Sequence, residues 1–327
     1  MRALAALPAA LLTVLLAVLT GAGCGIVEEQ PEHRALTSVV PYDVRLLLDP
    51  PGKYLGITYP NADDQSADAE VFALKTGREP NMIGYFVAFG DQPRPARLAE
   101  IWSGGALPMI SWEPHGVPLT QIAEGRYDRY IVNWAASLRD ARVPVALSFG
   151  HEMNGGWFSW GSKDNTPAEF VAAYRHIHDL FQRFGASNVI WVWSPNVVSR
   201  PGMALAPYWA GPAYVDWVGP IGYYEWSHGA ESFDELFGPT LEQIRELTDR
   251  PVLLPETAAP EGPGKAEHIL DLLENVVSDD DIVGLLWFDF DKERDWRYDS
   301  SPAALRAFRQ GVSPSVYGFD PRDFGRP

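Results

Sequence analysis

The chain has 327 residues, enough for two average domains or for one α/β barrel, and its hydrophobic fraction of 46% can fill a sizeable core. With 43 acidic against 26 basic residues it carries a formal charge of -17, which sets aside nucleic-acid partners, whose phosphates reward Lys and Arg. Cys24 is the only cysteine, so the remainder contains no disulfide and rests on its core; a monomer that handles a neutral ligand is expected.

At the N-terminus, Arg2 precedes an apolar run rich in Ala and Leu over residues 4–19. Gly21, Ala22 and Gly23 then lead to Cys24. The pattern resembles a bacterial lipoprotein signal, with Cys24 as the lipidated residue and the lipid anchor as the protein's contact with membrane. Gly21 stands where such signals usually carry Leu, and the alternative is an ordinary secretory signal. Either way the expected destination is outside the cytoplasm, at the cell surface or secreted. Residues 25–41 are polar and irregular and read as a tether.

From there strand-like and helix-like segments alternate. Eight short apolar runs qualify as strands: residues 54–59, 82–89, 107–112, 143–149, 189–193, 215–221, 252–254 and 282–288. Most are continuously hydrophobic, as parallel strands covered on both faces are. The clearest helix spans residues 167–184, with Thr166 as N-cap, Pro167 in its first turn, Glu169 closing a capping box and Gly185 ending it. Its His176 and His178 read as surface or boundary residues. Further helices are expected at 67–75, 95–102, 127–140, 239–247, 266–277 and 302–310, whereas 195–214, rich in Pro and Gly, reads as a loop. Eight such units over residues 42–327, without a break in composition, predict a single (β/α)8 TIM barrel of the α/β class. A doubly wound sheet is the alternative, although no glycine-rich phosphate loop follows the first strand.

In such a barrel the residues just beyond each strand form the site. Those positions are conspicuously polar and aromatic here: Trp112-Glu113-Pro114-His115, His151-Glu152-Met153-Asn154, Ser194-Pro195-Asn196, Tyr223-Tyr224-Glu225-Trp226, Glu256-Thr257 and Trp287-Phe288-Asp289. Two carboxylates, Glu152 and Glu256, follow apolar strands, and rings crowd around the first. A carboxylic acid to protonate a glycosidic oxygen and flat rings to stack on pyranose faces suit sugar chemistry. His151-Glu152 is not the start of a zinc-binding HExxH helix, because position 155 is Gly. No GxSxG supports a serine nucleophile.

The run His151-Glu152-Met153-Asn154-Gly155-Gly156-Trp157-Phe158-Ser159-Trp160-Gly161 resembles the acid/base motif of glycoside hydrolase family 26. Weaker matches follow in order at Asp216 to Gly219, Pro251 to Thr257, Trp287 to Asp289 and Asp295 to Ser301, so that the likeness spans roughly residues 50 to 310. It implies a clan A barrel acting on polysaccharide or oligosaccharide by retaining double displacement, with no cofactor and no metal. Glu152 would be the general acid and then the base, and Glu256 the nucleophile. Tyr223 would donate to Glu256, and His151 would orient a carboxylate or a sugar hydroxyl. Trp157 and Trp287 are candidate stacking platforms; Trp112, Glu113 and Asn196 are candidate sugar contacts.

Two departures bear on substrate. Many mannanases of the family carry Arg where this chain has Ser148, and His where it has Glu113. The family is mostly endo-β-1,4-mannanases, so mannan is the first expectation; the departures point toward β-1,3-1,4-glucan as the alternative. A transglycosylase with the same two Glu residues and a barrel that binds glycan without cleaving it remain open as well.

Overall fold

The computed structural model describes residues 42–59, 65–198 and 202–324. The signal segment, Cys24 and the tether lie outside them. In chain order the elements are α1 (Arg45–Leu48), β1 (Tyr54–Thr58), α2 (Gln65–Thr76), β2 (Met82–Ala88), α3 (Pro95–Ser103) and β3 (Leu107–Glu113). There follow α4 (Leu119–Ala123), α5 (Asp128–Ala141), β4 (Val145–Phe149), α6 (Pro167–Arg183) and β5 (Val189–Trp193). Last come β6 (Trp217–Val218), β7 (Gly222–Tyr223), α7 (Phe233–Leu247), β8 (Val252–Ala258), α8 (Lys265–Ser278), β9 (Ile282–Phe288) and α9 (Pro302–Gly311).

All pairings between these strands are parallel, in the order β6-β5-β4-β3-β2-β1-β9-β8-β7, and β6 also pairs with β8, which closes the ring. The result is the eight-position (β/α)8 barrel, not the open doubly wound sheet. Two short pieces, β6 and β7, share the sixth position. Gly219-Pro220 separates them, and Pro220 has no N–H to offer a ladder.

Alternation along the strands sorts side chains into two cores. Tyr54, Met82, Leu107, Met109, Ala146, Ile190, Val192, Trp217, Leu253 and Leu286 fill the barrel interior. Leu47 of α1 closes its lower end, where the Tyr54 hydroxyl donates to Leu47 O at 3.0 Å and Trp217 Nε1 to Leu48 O at 2.9 Å. Ile57, Ile110, Trp112, Leu147, Trp191, Leu254 and Trp287 face the other way, into the larger core beneath the helices.

Helix boundaries follow the local signals closely, and α6 carries the expected capping box at Thr166 and Glu169. The clearest exception is α7, which begins at Phe233 behind the Ser232 N-cap instead of at Pro239. Pro239 sits inside the helix and cannot donate to Glu235 O four residues back. His228 Nε2 lies 3.3 Å from that carbonyl and serves it instead. Strand β8 continues to Ala258, so Glu256 lies within the strand and not beyond it.

Candidate active site

Glu152 stands three residues past the end of β4, in a turn that gives it φ +54. A non-glycine residue in the left-handed region needs firm surroundings. Here Glu152 N donates to Ser194 O at 2.7 Å and Gly155 N donates to Glu152 O at 2.8 Å. Its carboxylate accepts from Trp157 Nε1 at 2.9 Å on one oxygen and from Asn196 Nδ2 at 2.6 Å on the other. Trp157 lies so close over Gly155 that a Cβ there would come within 2.4 Å of its ring, which explains why glycine occupies that position. Asn196 is fixed in turn by Asn154, whose carboxamide accepts from Asn196 N and donates to Asn196 O, both at 2.8 Å.

Glu256 comes from β8. Its pairing with β9 is irregular between Leu254 and Thr257, a bulge-like break that interrupts the alternation begun by Leu253 inward and Leu254 outward. The break brings the Glu256 carboxylate to the rim, where it accepts a short hydrogen bond from the Tyr223 hydroxyl. Tyr223 belongs to β7, the second piece of the sixth barrel position.

Both carboxyls are deeply buried, each residue 8% exposed. Burial lifts both above the usual carboxylate range, and the charge of Glu152 lifts Glu256 further. The N–H donors on Glu152 and the hydroxyl on Glu256 pull each partly back. Such a pair retains a proton where two isolated carboxylates would have none. Glu113, at the end of β3, adds a third carboxylate whose field reaches Glu256. Burial raises it too, and His115 Nε2 at 3.2 Å draws it down.

His151 is buried against Phe86, Phe158 and Trp160, with its Nδ1 lacking a protein partner. Desolvation lowers its pKa to about 3, so the ring is neutral at neutral pH. It is suited to hydrogen bonding with a hydroxyl, not to charge pairing.

One expected sugar contact, Trp112, and one expected platform, Trp287, are corrected. Trp112 and Trp287 are both fully buried and point away from the barrel axis. Trp112 stacks on Phe89 at 5.0 Å and touches Trp134 of α5 at 4.9 Å. Trp287 packs on Phe308 of α9 at 5.3 Å, and its Nε1 donates to Trp296 O at 2.8 Å. Strand parity is the reason: their neighbours Ser111 and Leu286 lie on the opposite face. Trp157 is open, at 57% exposure.

Two residues not expected to have a role of their own also lie in the site, Asn154 and Trp296. Asn154 was visible as part of the motif, but its role as the brace of Asn196 depends on a turn. Trp296 comes from the loop after β9 and packs against Tyr223 at 5.0 Å.

A closed parallel barrel with two buried, differently supported carboxylates at the C-terminal ends of its strands defines the class: a (β/α)8 protein whose site is organised around a carboxylate pair. Residues 122–250 match the family described as Glycosyl hydrolase family 26. Endoglucanase H of Acetivibrio thermocellus is 32% identical over 224 residues, which is 65% of this chain and 25% of that protein. A mannan endo-1,4-beta-mannosidase of Bacillus subtilis (strain 168) is 25% identical over 52% of this chain and 58% of its own length. The chain therefore spans a quarter of the first relative and somewhat over half of the second. In three dimensions, the catalytic domain of the GH26 endo-beta-1,4-mannanase of Bacillus sp. JAMB-750 superposes with a TM-score of 0.63 at 17% identity, over 83% of this chain and 88% of that one. The match over residues 122–250 and the relatives to which the chain is similar both support glycosyl hydrolase family 26.

Proposed function

We propose that the protein is a retaining endo-β-glycanase in which Glu152 is the acid/base and Glu256 the nucleophile. The observation that carries this reading is the pair itself: two buried carboxyls whose charges interact, each with its own donors. In the first step Glu152 gives its proton to the glycosidic oxygen while a Glu256 oxygen bonds to the anomeric carbon. The C–O bond to the departing sugar breaks, leaving a glycosyl ester. In the second, the Glu152 carboxylate takes a proton from water, whose oxygen displaces Glu256 and restores both groups. Glu152 must exist in both protonation states within one cycle. Burial supports the acid, and the Trp157 and Asn196 donors support the carboxylate. The Tyr223 hydroxyl favours the ionised form of Glu256.

The substrate we propose is a β-1,4-linked polysaccharide, mannan first, on the frequency of mannanases among the relatives. Glu113, in place of the His of many mannanases it resembles, favours a mixed-linkage β-glucan as the second reading. We also propose export, with Cys24 as a lipid anchor. No helix among the described residues is long and apolar enough to cross a membrane.

The test is reducing-sugar release by residues 25–327 on mannan, galactomannan, mixed-linkage glucan and β-1,3-xylan, with Glu256→Ala as the blank. Release on one polymer, absent from the blank, establishes the activity and its substrate. Silence on all four overturns this reading in favour of a glycan binder.

A further inference from the structure

Resting on the glycanase reading, we propose that Trp226 is a sugar-stacking platform, forming a subsite for one hexopyranose unit of the bound glycan on the Tyr223 side of the carboxylate pair. Among the described residues Trp157 and Trp226 are the exposed tryptophans, at 57% and 54%, and both belong to loops at the same rim. Trp157 reaches Glu152 directly through its indole N–H. Trp226 connects to Glu256 through a chain of contacts: its ring meets Trp296 edge-on at 6.1 Å, Trp296 packs on Tyr223 at 5.0 Å, and Tyr223 donates to Glu256. Each carboxylate thus has one open indole on its own flank, an arrangement that fits a chain of sugars crossing the pair.

The loop holding Trp226 is built at a cost. Four non-glycine residues among those described have positive φ: Arg142, Glu152, Glu225 and His228. Arg142 is explained as the left-handed cap of α5, and Glu152 belongs to the carboxylate pair. The other two bracket Trp226. Backbone outliers of this kind are strained and persist where surrounding structure enforces them. Here the enforcement is visible: Ser227 N donates to Tyr223 O at 2.8 Å, Glu225 N to Ala230 O at 2.8 Å, and Tyr223 N to Ser227 Oγ at 3.0 Å.

Side chains complete the mount. Glu225 lies 3.6 Å from His268 Nδ1 and 3.7 Å from the guanidinium of Arg294, and that guanidinium sits 5.7 Å from the centre of the Trp226 ring. A large apolar ring held in a rigid loop, half open to solvent, has no packing role that would justify the strain. A pyranose face supplies the missing partner, and a platform ordered in advance loses little freedom when the sugar arrives.

The experiment measures binding of a trisaccharide and a hexasaccharide by calorimetry in a Glu256→Gln background, using β-1,4-mannooligosaccharides and mixed-linkage glucooligosaccharides. The gain in affinity from three to six units should shrink about 3- to 10-fold when Trp226→Ala is added, the range expected for losing one stacked ring. Trp226→Phe, which keeps an aromatic face, should restore most of that gain. An equal gain with and without Trp226, or a Phe variant as poor as Ala while its melting temperature is unchanged, overturns the platform and leaves the glycanase reading intact. Failure of the Glu256→Gln parent to bind any of these oligosaccharides overturns both.

Discussion

The Asn154 side chain grips the Asn196 backbone with two hydrogen bonds, accepting from its N–H and donating to its C=O, both 2.8 Å. The Asn196 carboxamide, freed from supporting its own loop, points its N–H at Glu152. Asn154→Ala should act through Asn196 and lower kcat/KM about 10-fold, the equivalent of ~1.4 kcal/mol for a weakened hydrogen bond to a charged group. Weaker donation destabilises the Glu152 carboxylate, so the basic limb of the pH–rate profile should move to higher pH. A lowered rate with an unmoved limb would reduce Asn154 to a structural part.

Tyr223 tests the other carboxyl. Its hydroxyl favours ionised Glu256, and Tyr223→Phe removes that support. The Glu256 pKa then rises further, and the acidic limb of kcat/KM should move upward in pH as the proposed nucleophile stays protonated longer. A profile identical to the parent's would contradict the assignment.

The pair should also weigh on stability. Both folded pKa values of the Glu152–Glu256 pair are raised, so the native pair keeps a proton that the unfolded chain has released. Stability from this pair is present in full below the unfolded pKa values and is lost as pH rises through the folded ones. Glu256→Gln should therefore raise Tm by roughly 2–4 °C at pH 8, for about 1 kcal/mol regained, and by little at pH 4. Turnover should fall by about three orders of magnitude or more. Thermal scans at both pH values, beside kinetic assays, decide it.

Trp112→Ala and Trp287→Ala should behave as core mutations. Each empties a site beneath the helices, at about 3–5 kcal/mol, and should lower Tm by roughly 6–20 °C. Affinity for oligosaccharide in the surviving folded protein should hardly change. Lost affinity at unchanged Tm would return the ring to the binding surface.

Much of this architecture was legible in the sequence, because continuous apolar strands and capped amphipathic helices are local signals. The (β/α)8 reading followed from them, and so did placing Glu152 beyond a strand, whereas Glu256 lies inside β8. What escaped depended on non-local geometry. Whether Trp287 faced the axis or the helices rested on strand parity relative to partners, and adjacency to a motif suggested the wrong face. Glu256 could not be oriented from alternation either, since the irregularity after Leu254 is a property of the β8–β9 pairing. Trp226 looked like one more aromatic beyond a strand until its openness and the strain around it were seen. The start of α7 was hidden by Pro239, whose usual meaning as a first-turn residue a serving histidine overrides.

The interruption at Gly219-Pro220 gives the barrel a seam. Where β2 and β3 match continuously from Met82↔Leu107 to Ala88↔Glu113, the sixth position meets β8 only at Val218↔Val252, Gly222↔Thr257 and Tyr223↔Ala258. Tyr223 is thus stitched to an interrupted edge of the cylinder while holding the group proposed to attack the sugar. Amide protons along that edge should exchange with solvent ahead of those in β2 and β3. On warming, the proposed activity should fade before the fold melts, because the first thing to open is the seam that carries the Tyr223 contact to Glu256.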